Sequence, residues 1–221
     1  MSGKYLILLV VTPGLLPAHD PITTKVTFSR EIIRLFQKRC LTCHQDGGKA
    51  PMSLAAYSEA RPWAKAIKEE VLERRMPPWG AVKGFGAFKH DQALTQEEVS
   101  LIADWVEGGA PEGDPKYLPS TPIPNPPAIF KPSASRLTVL KSQVLTKPRT
   151  LLAIAPQPGK PISSARITAE LPDGSVEPLL WLKDYKPAWK HTFELRKPLT
   201  LPAGTRILVD PEAAVTLYFS R

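Results

Sequence analysis

Cys40-Leu41-Thr42-Cys43-His44 constrains this chain more than any other stretch. Residues three apart share one face of a helical turn. Two thiols are therefore presented side by side, with an imidazole directly after them. Both cysteines of the 221-residue chain lie in this motif. A structural zinc site ordinarily takes four protein ligands, and no second C-x-x-C exists to complete one. A thioredoxin-like redox pair belongs with a βαβ pattern, which the neighbouring residues do not spell. The reading that remains for C-x-x-C-H is covalent attachment of one c-type haem. Cys40 and Cys43 would hold the two vinyl groups, and His44 would put a nitrogen on the iron.

The residues around the motif read as helices. Ser29-Arg30-Glu31 opens the first, and Ile32, Ile33, Leu35, Phe36 and Cys40 give it an apolar face. Asp46-Gly47-Gly48 breaks the chain after the motif. A second helix is expected from Ser58 or Pro62, with Trp63, Ala66, Ile67, Val71 and Leu72 at helical spacing. Met76-Pro77-Pro78-Trp79 ends it, because two successive prolines cannot continue a helix. A Gly-rich loop, Gly84-Phe85-Gly86-Ala87-Phe88, follows. Thr95-Gln96-Glu97-Glu98 is a capping box, and the helix it starts runs to Gly108-Gly109.

Three helices, a haem motif after the first and a methionine-bearing loop before the last resemble a class I cytochrome c. The resemblance is closer to the small cytochrome c domains of multidomain bacterial proteins. Arg61-Pro62-Trp63-Ala64, Met76-Pro77-Pro78-Trp79 and Trp105-Val106-Glu107-Gly108-Gly109-Ala110-Pro111-Glu112-Gly113-Asp114-Pro115 carry it. It implies that the distal iron ligand comes from the loop between the last two helices, which selects Met76. It also implies that a proline carbonyl soon after the motif, here that of Pro51, accepts from His44 Nδ1 and fixes the ring. Met52 would then lie on the proximal side. His90, in the polar run Lys89-His90-Asp91, is the alternative ligand. Trp79, Arg61 and Arg74 or Arg75 have N–H groups suited to the haem propionates.

Proline is abundant, at 25 residues, and concentrates beyond the helices. Residues 116–135 read as a semi-rigid Pro-rich linker. Residues 136–221 carry short runs rich in Val, Ile, Leu and Thr, separated by turn residues such as Pro172-Asp173-Gly174. The fold class expected is multidomain α and β: an all-α cytochrome c domain over 21–115, the linker, and a C-terminal antiparallel β-sandwich over 136–221. Leu171-Pro172-Asp173-Gly174, Trp189 and the stretch from Lys197-Pro198-Leu199 to Ala203-Gly204-Thr205 are similar to the C-terminal β-sandwich of copper type II ascorbate-dependent monooxygenases. That family places a His-x-His pair before its Gly-Lys, where this chain has Pro156-Gln157-Pro158 before Gly159-Lys160. The methionine ligand is missing as well, and His191 is the lone histidine of the region. The sandwich is therefore expected to lack copper chemistry and to act as a docking module. Its removal would leave the haem spectrum unchanged.

Lys4, the apolar run Tyr5–Val11 and a small Ala18 read as a signal peptide over residues 1–18, followed by export to the periplasm or the outer face of the membrane. The run is too short to span a bilayer comfortably. The formal charge of +8 is uneven. Residues 21–115 hold 13 basic and 13 acidic side chains, whereas residues 136–221 hold 13 and 7. The basic excess points to an acidic redox partner, or to an anionic membrane surface. Nucleic acid does not suit an exported haem protein.

The function expected is that of an exported monohaem c-type cytochrome carrying single electrons, docked to a respiratory or photosynthetic complex. The haem c would be held by Cys40 and Cys43 and ligated by His44 and Met76. The alternatives are a haem peroxidase with Met76 displaced, the electron-feeding part of an oxidase or monooxygenase, and a haem-based sensor.

Overall fold

The computed structural model describes residues 24–120, 130, 135–210 and 213–221. The stretch read as a signal peptide and most of the linker lie outside the described residues. Among the described residues no helix is long and apolar enough to cross a membrane.

A π-helical turn, Phe28–Ile32, runs directly into α1 (Ile33–Arg39). Phe28, Ile32, Ile33, Leu35 and Phe36 are all buried, so the apolar residues of this segment do face the core. The second helix arrives in pieces: α2 (Tyr57–Ala60), a 3-10 turn over Arg61–Trp63, and α3 (Ala64–Leu72). Pro62 has no N–H to donate, and the turn tightens around it. α4 (Gln96–Glu107) is capped as its sequence predicts. Thr95 Oγ1 accepts from the Glu98 N–H at 3.1 Å, and Glu98 Oε2 accepts from the Thr95 N–H at 2.9 Å. The same carboxylate takes both Nε and Nη2 of the buried Arg39, which ties α4 to the end of α1.

Trp105 of α4 is completely buried against Phe28 and Phe36. Its indole N–H donates to the Pro111 carbonyl at 3.0 Å. The Tyr57 hydroxyl donates to the Ala110 carbonyl at 3.0 Å. The residues after α4 thus fold back over the helical core. Pro115–Tyr117 continues this course as a 3-10 turn, with Arg34 Nη2 donating to the Tyr117 carbonyl at 2.9 Å. The start of the expected linker therefore lies on the helical region.

Among the described residues, the second half forms eight strands in two four-stranded antiparallel sheets. They are β1 (Ser135–Val139), β2 (Ser142–Val144), β3 (Arg149–Pro156), β4 (Ile162–Glu170), β5 (Val176–Tyr185), β6 (Phe193–Leu201), β7 (Arg206–Asp210) and β8 (Val215–Phe219). One sheet has the order β1-β8-β3-β6 and the other β2-β7-β4-β5. Leu151, Phe193 and Leu217 from the first share one apolar core with Ile167, Leu180 and Ile207 from the second. Pro178 and Pro198 fall within β5 and β6, which are both edge strands, where a missing N–H is tolerated.

The boundary at residue 115 does not separate two self-contained bodies. The loop after Met76 leaves the helices and enters the β core, where Trp79, Ala81 and Phe88 are buried. It pairs with both of those edge strands. Ala81 bridges Leu182 of β5, and Phe88 bridges Leu195 of β6. Four backbone bonds of 2.8 Å hold it: Val82 N–H to Trp181 O, Lys183 N–H to Gly80 O, Lys89 N–H to Glu194 O and Arg196 N–H to Ala87 O. A loop bridging two open edges satisfies groups that would otherwise invite another chain.

Glycine makes the approach feasible. Gly80 and Gly86 have φ of +74° and +82°, and a Cβ on Gly86 would stand 2.5 Å from the Leu179 carbonyl. The expectation of a haem domain indifferent to loss of residues 136–221 is thereby corrected. Such a truncation would strip Trp79, Ala81 and Phe88 of their core.

Candidate haem site

α1 ends at the motif. Cys40 N–H donates to the Phe36 carbonyl at 2.7 Å, and the N–H groups of Cys43 and His44 both turn back to the Cys40 carbonyl, at 3.0 and 2.9 Å. One turn therefore carries both thiols and the imidazole. The cysteines are free thiols and half-buried. Burial, the largest effect, pushes the Cys40 thiol up to about 12, with Arg39 opposing and Cys43 and Glu98 reinforcing. Ala50 N–H bonds the Cys43 carbonyl and Leu54 N–H the His44 carbonyl, so the following loop hugs the motif.

His44 Nδ1 lies 3.2 Å from a backbone carbonyl, but that carbonyl belongs to Met52. The expected acceptor was Pro51. The loop delivers the next residue in register, and one peptide oxygen serves as well as another. With Nδ1–H donating to Met52 O, Nε2 is the nitrogen left for a metal. Burial lowers the His44 pKa, and the bond to Met52 works against it, which favours the neutral, ligating form. The Met52 side chain packs against the helical core.

Met76 sits where α3 ends. Arg74 adopts a left-handed φ of 57°. Arg75 N–H reaches the Glu70 carbonyl at 2.9 Å and Arg74 N–H the Val71 carbonyl at 3.1 Å, the pair of bonds that defines a Schellman terminus. Arg74 is held there by bonds to Leu94 O and Gln96 Oε1. Met76 N–H adds a bond to the Glu70 carbonyl at 3.1 Å. The Met76 residue is 40% exposed, so its thioether is not consumed in filling a core.

The residues expected to support the haem are distributed differently. Trp79 is in the β core, 4.9 Å between ring centres from Phe193. Arg75 is engaged with Glu69 and Glu70 on α3 and with Glu73 just after it. Arg61 is exposed at the start of the 3-10 turn before α3. His90 is exposed in the loop. His191 had no assigned role, yet its Nε2 lies 2.5 Å from the Pro78 carbonyl, two residues beyond Met76. Burial lowers the His191 pKa, the Pro78 bond opposes this, and Lys49 in the motif's own loop lowers it further. Nothing in the sequence pairs residues 113 positions apart.

Residues 30–106 match the family model described as cytochrome C oxidase, cbb3-type, subunit III. The match supports a c-type cytochrome domain there, and with it haem-based electron transfer. No curated protein and no solved structure matches the chain. The donor set fits a haem c: two thiols on one turn, an imidazole with Nε2 available, and an exposed thioether just past the end of α3.

Proposed function

We propose that the protein is an exported single-haem c-type cytochrome that passes electrons one at a time to a larger redox complex. One observation carries the reading: Cys40, Cys43 and His44 share a turn, and His44 Nδ1 is tied to a backbone carbonyl. Cys40 and Cys43 would anchor haem c covalently, and His44 Nε2 and the Met76 thioether would be its axial ligands. When bound, the haem supplies a reversible one-electron couple, and His/Met ligation places its potential above that of a bis-His site.

The chain's own residues orient and enclose. Met52 O sets the plane and tautomer of His44, and the Schellman end of α3 directs Met76. The two sheets with one common core support a sandwich as the second unit. Its basic excess supports docking to an acidic face, and the description of the matched family supports an oxidase-type assembly as partner.

Met76→Ala is expected to abolish the weak long-wavelength sulfur-to-iron band and lower the reduction potential, while Met52→Ala keeps the band. Absorption spectroscopy of the ferric proteins decides it, and the opposite pattern reverses the assignment of the two faces. If the basic excess steers docking, the association rate with the purified partner should fall roughly tenfold or more between about 0.05 and 0.5 M salt. Stopped-flow mixing measures this, and a flat salt profile rejects the steering role.

A further inference from the structure

We infer that His191 is a positioning residue for the distal side of the haem: the β region holds the Met76 loop in place through the Pro78 carbonyl. The inference rests on the reading of Met76 as the distal ligand.

Met76 is fixed on both flanks by different parts of the chain. On its N-terminal side, Met76 N–H and Arg75 N–H are both bonded to the Glu70 carbonyl at the end of α3. On its C-terminal side Trp79 N–H closes a local bond to Pro77 O at 2.9 Å, and the contacts with the β region are His191 Nε2 on Pro78 O and the burial of Trp79 in the β core. Pro78 has no N–H, so its carbonyl is its one backbone hydrogen-bonding group. A carbonyl only accepts, so His191 Nε2 must carry the proton.

The ring that donates is itself immobilised. His191 N–H donates to the Tyr185 hydroxyl at 3.0 Å. The rings of Trp79, Tyr185, Trp189 and Phe193 surround the imidazole at 5.3 to 6.2 Å between centres. Gly80 then brings the chain against Tyr185 and Trp189 so closely that a Cβ would stand 2.8 Å from Tyr185. The loop thus has little freedom to carry the Met76 sulfur away from the iron. Sulfur is a weak ligand to ferric haem, and its hold depends on how much the loop gains by releasing it. Loosening one flank raises the population with the sulfur off, and an added ligand then binds in proportion to that population.

The test uses full-length holoprotein and two readouts: the sulfur-to-iron band and the affinity of the ferric form for added imidazole. His191→Phe keeps an aromatic ring in the cluster and removes the donor. His191→Gln keeps an N–H donor. His191→Phe is expected to bind imidazole roughly twofold to tenfold more tightly than the parent, the range one neutral hydrogen bond covers, with a weakened band. His191→Gln should return to within about twofold of the parent. A folded His191→Phe with the parent's affinity and band would overturn the inference, as would equal effects in both variants. Should His191→Phe fail to fold, His191→Gln and Trp79→Phe decide: an unchanged His191→Gln beside a loosened Trp79→Phe supports it, and a loosened His191→Gln with parental Trp79→Phe overturns it. Met76→Ala separates the two levels. If that variant keeps the band and the parental affinity, the ligand assignment has failed, and not merely the role of His191.

Discussion

Cys40→Ala with Cys43→Ala is expected to yield protein from which acidified acetone removes all of the pigment, whereas the parent retains it through the same extraction. The effect should be complete, because both proposed anchors lie in one turn and the chain has no other cysteine. His44 is intact in this variant, so some haem is still expected to bind, held only by coordination. Each single variant should keep one thioether and still resist extraction. A double variant that holds its haem through acid–acetone would mean that the attachment is not through Cys40 and Cys43.

Trp105→Ala should produce the largest loss of stability among single substitutions in the helical region. The side chain is completely buried, touches the rings of Phe28 and Phe36, and donates its N–H to Pro111 O at 3.0 Å. Truncating a buried tryptophan costs about 3–5 kcal/mol, a large share of the roughly 5–15 kcal/mol that holds a typical domain. Trp105→Phe keeps most of the apolar area and loses the hydrogen bond, so it should lie between the parent and the alanine variant. Denaturant unfolding of the holoproteins, read as midpoints at constant slope, would rank the three. A cost below about 1 kcal/mol for Trp105→Ala would show that the residues after α4 are not held to the core by this side chain.

The helical region was readable because its signals are local. C-x-x-C-H needs only three-residue spacing on one turn. Thr95 and Glu98 find one another within a single helical turn, and both bonds of the capping box are present. The β character of residues 136–221 was legible too, because β-branched runs and the Pro172-Asp173-Gly174 turn are short-range patterns. Asp173 Oδ1 accepts from Ser175 N–H at 2.9 Å, the side-chain bond that makes such a turn. β1 and β2 carry no such signal. Both are largely exposed, and β2 has only three residues, so they carry little apolar alternation.

Local patterns alone told that two thiols and an imidazole would share one turn, and that helices precede strands. Each of those follows from spacing within a few residues. That Met52, not Pro51, presents the carbonyl to His44 is a matter of register in the folded loop, because every peptide offers the same oxygen. Only the tertiary structure placed Trp79, Ala81 and Phe88 in the β core and His191 on Pro78. These contacts join segments about a hundred residues apart, and the His191 bond ends on a backbone carbonyl, which leaves no trace in side-chain identity.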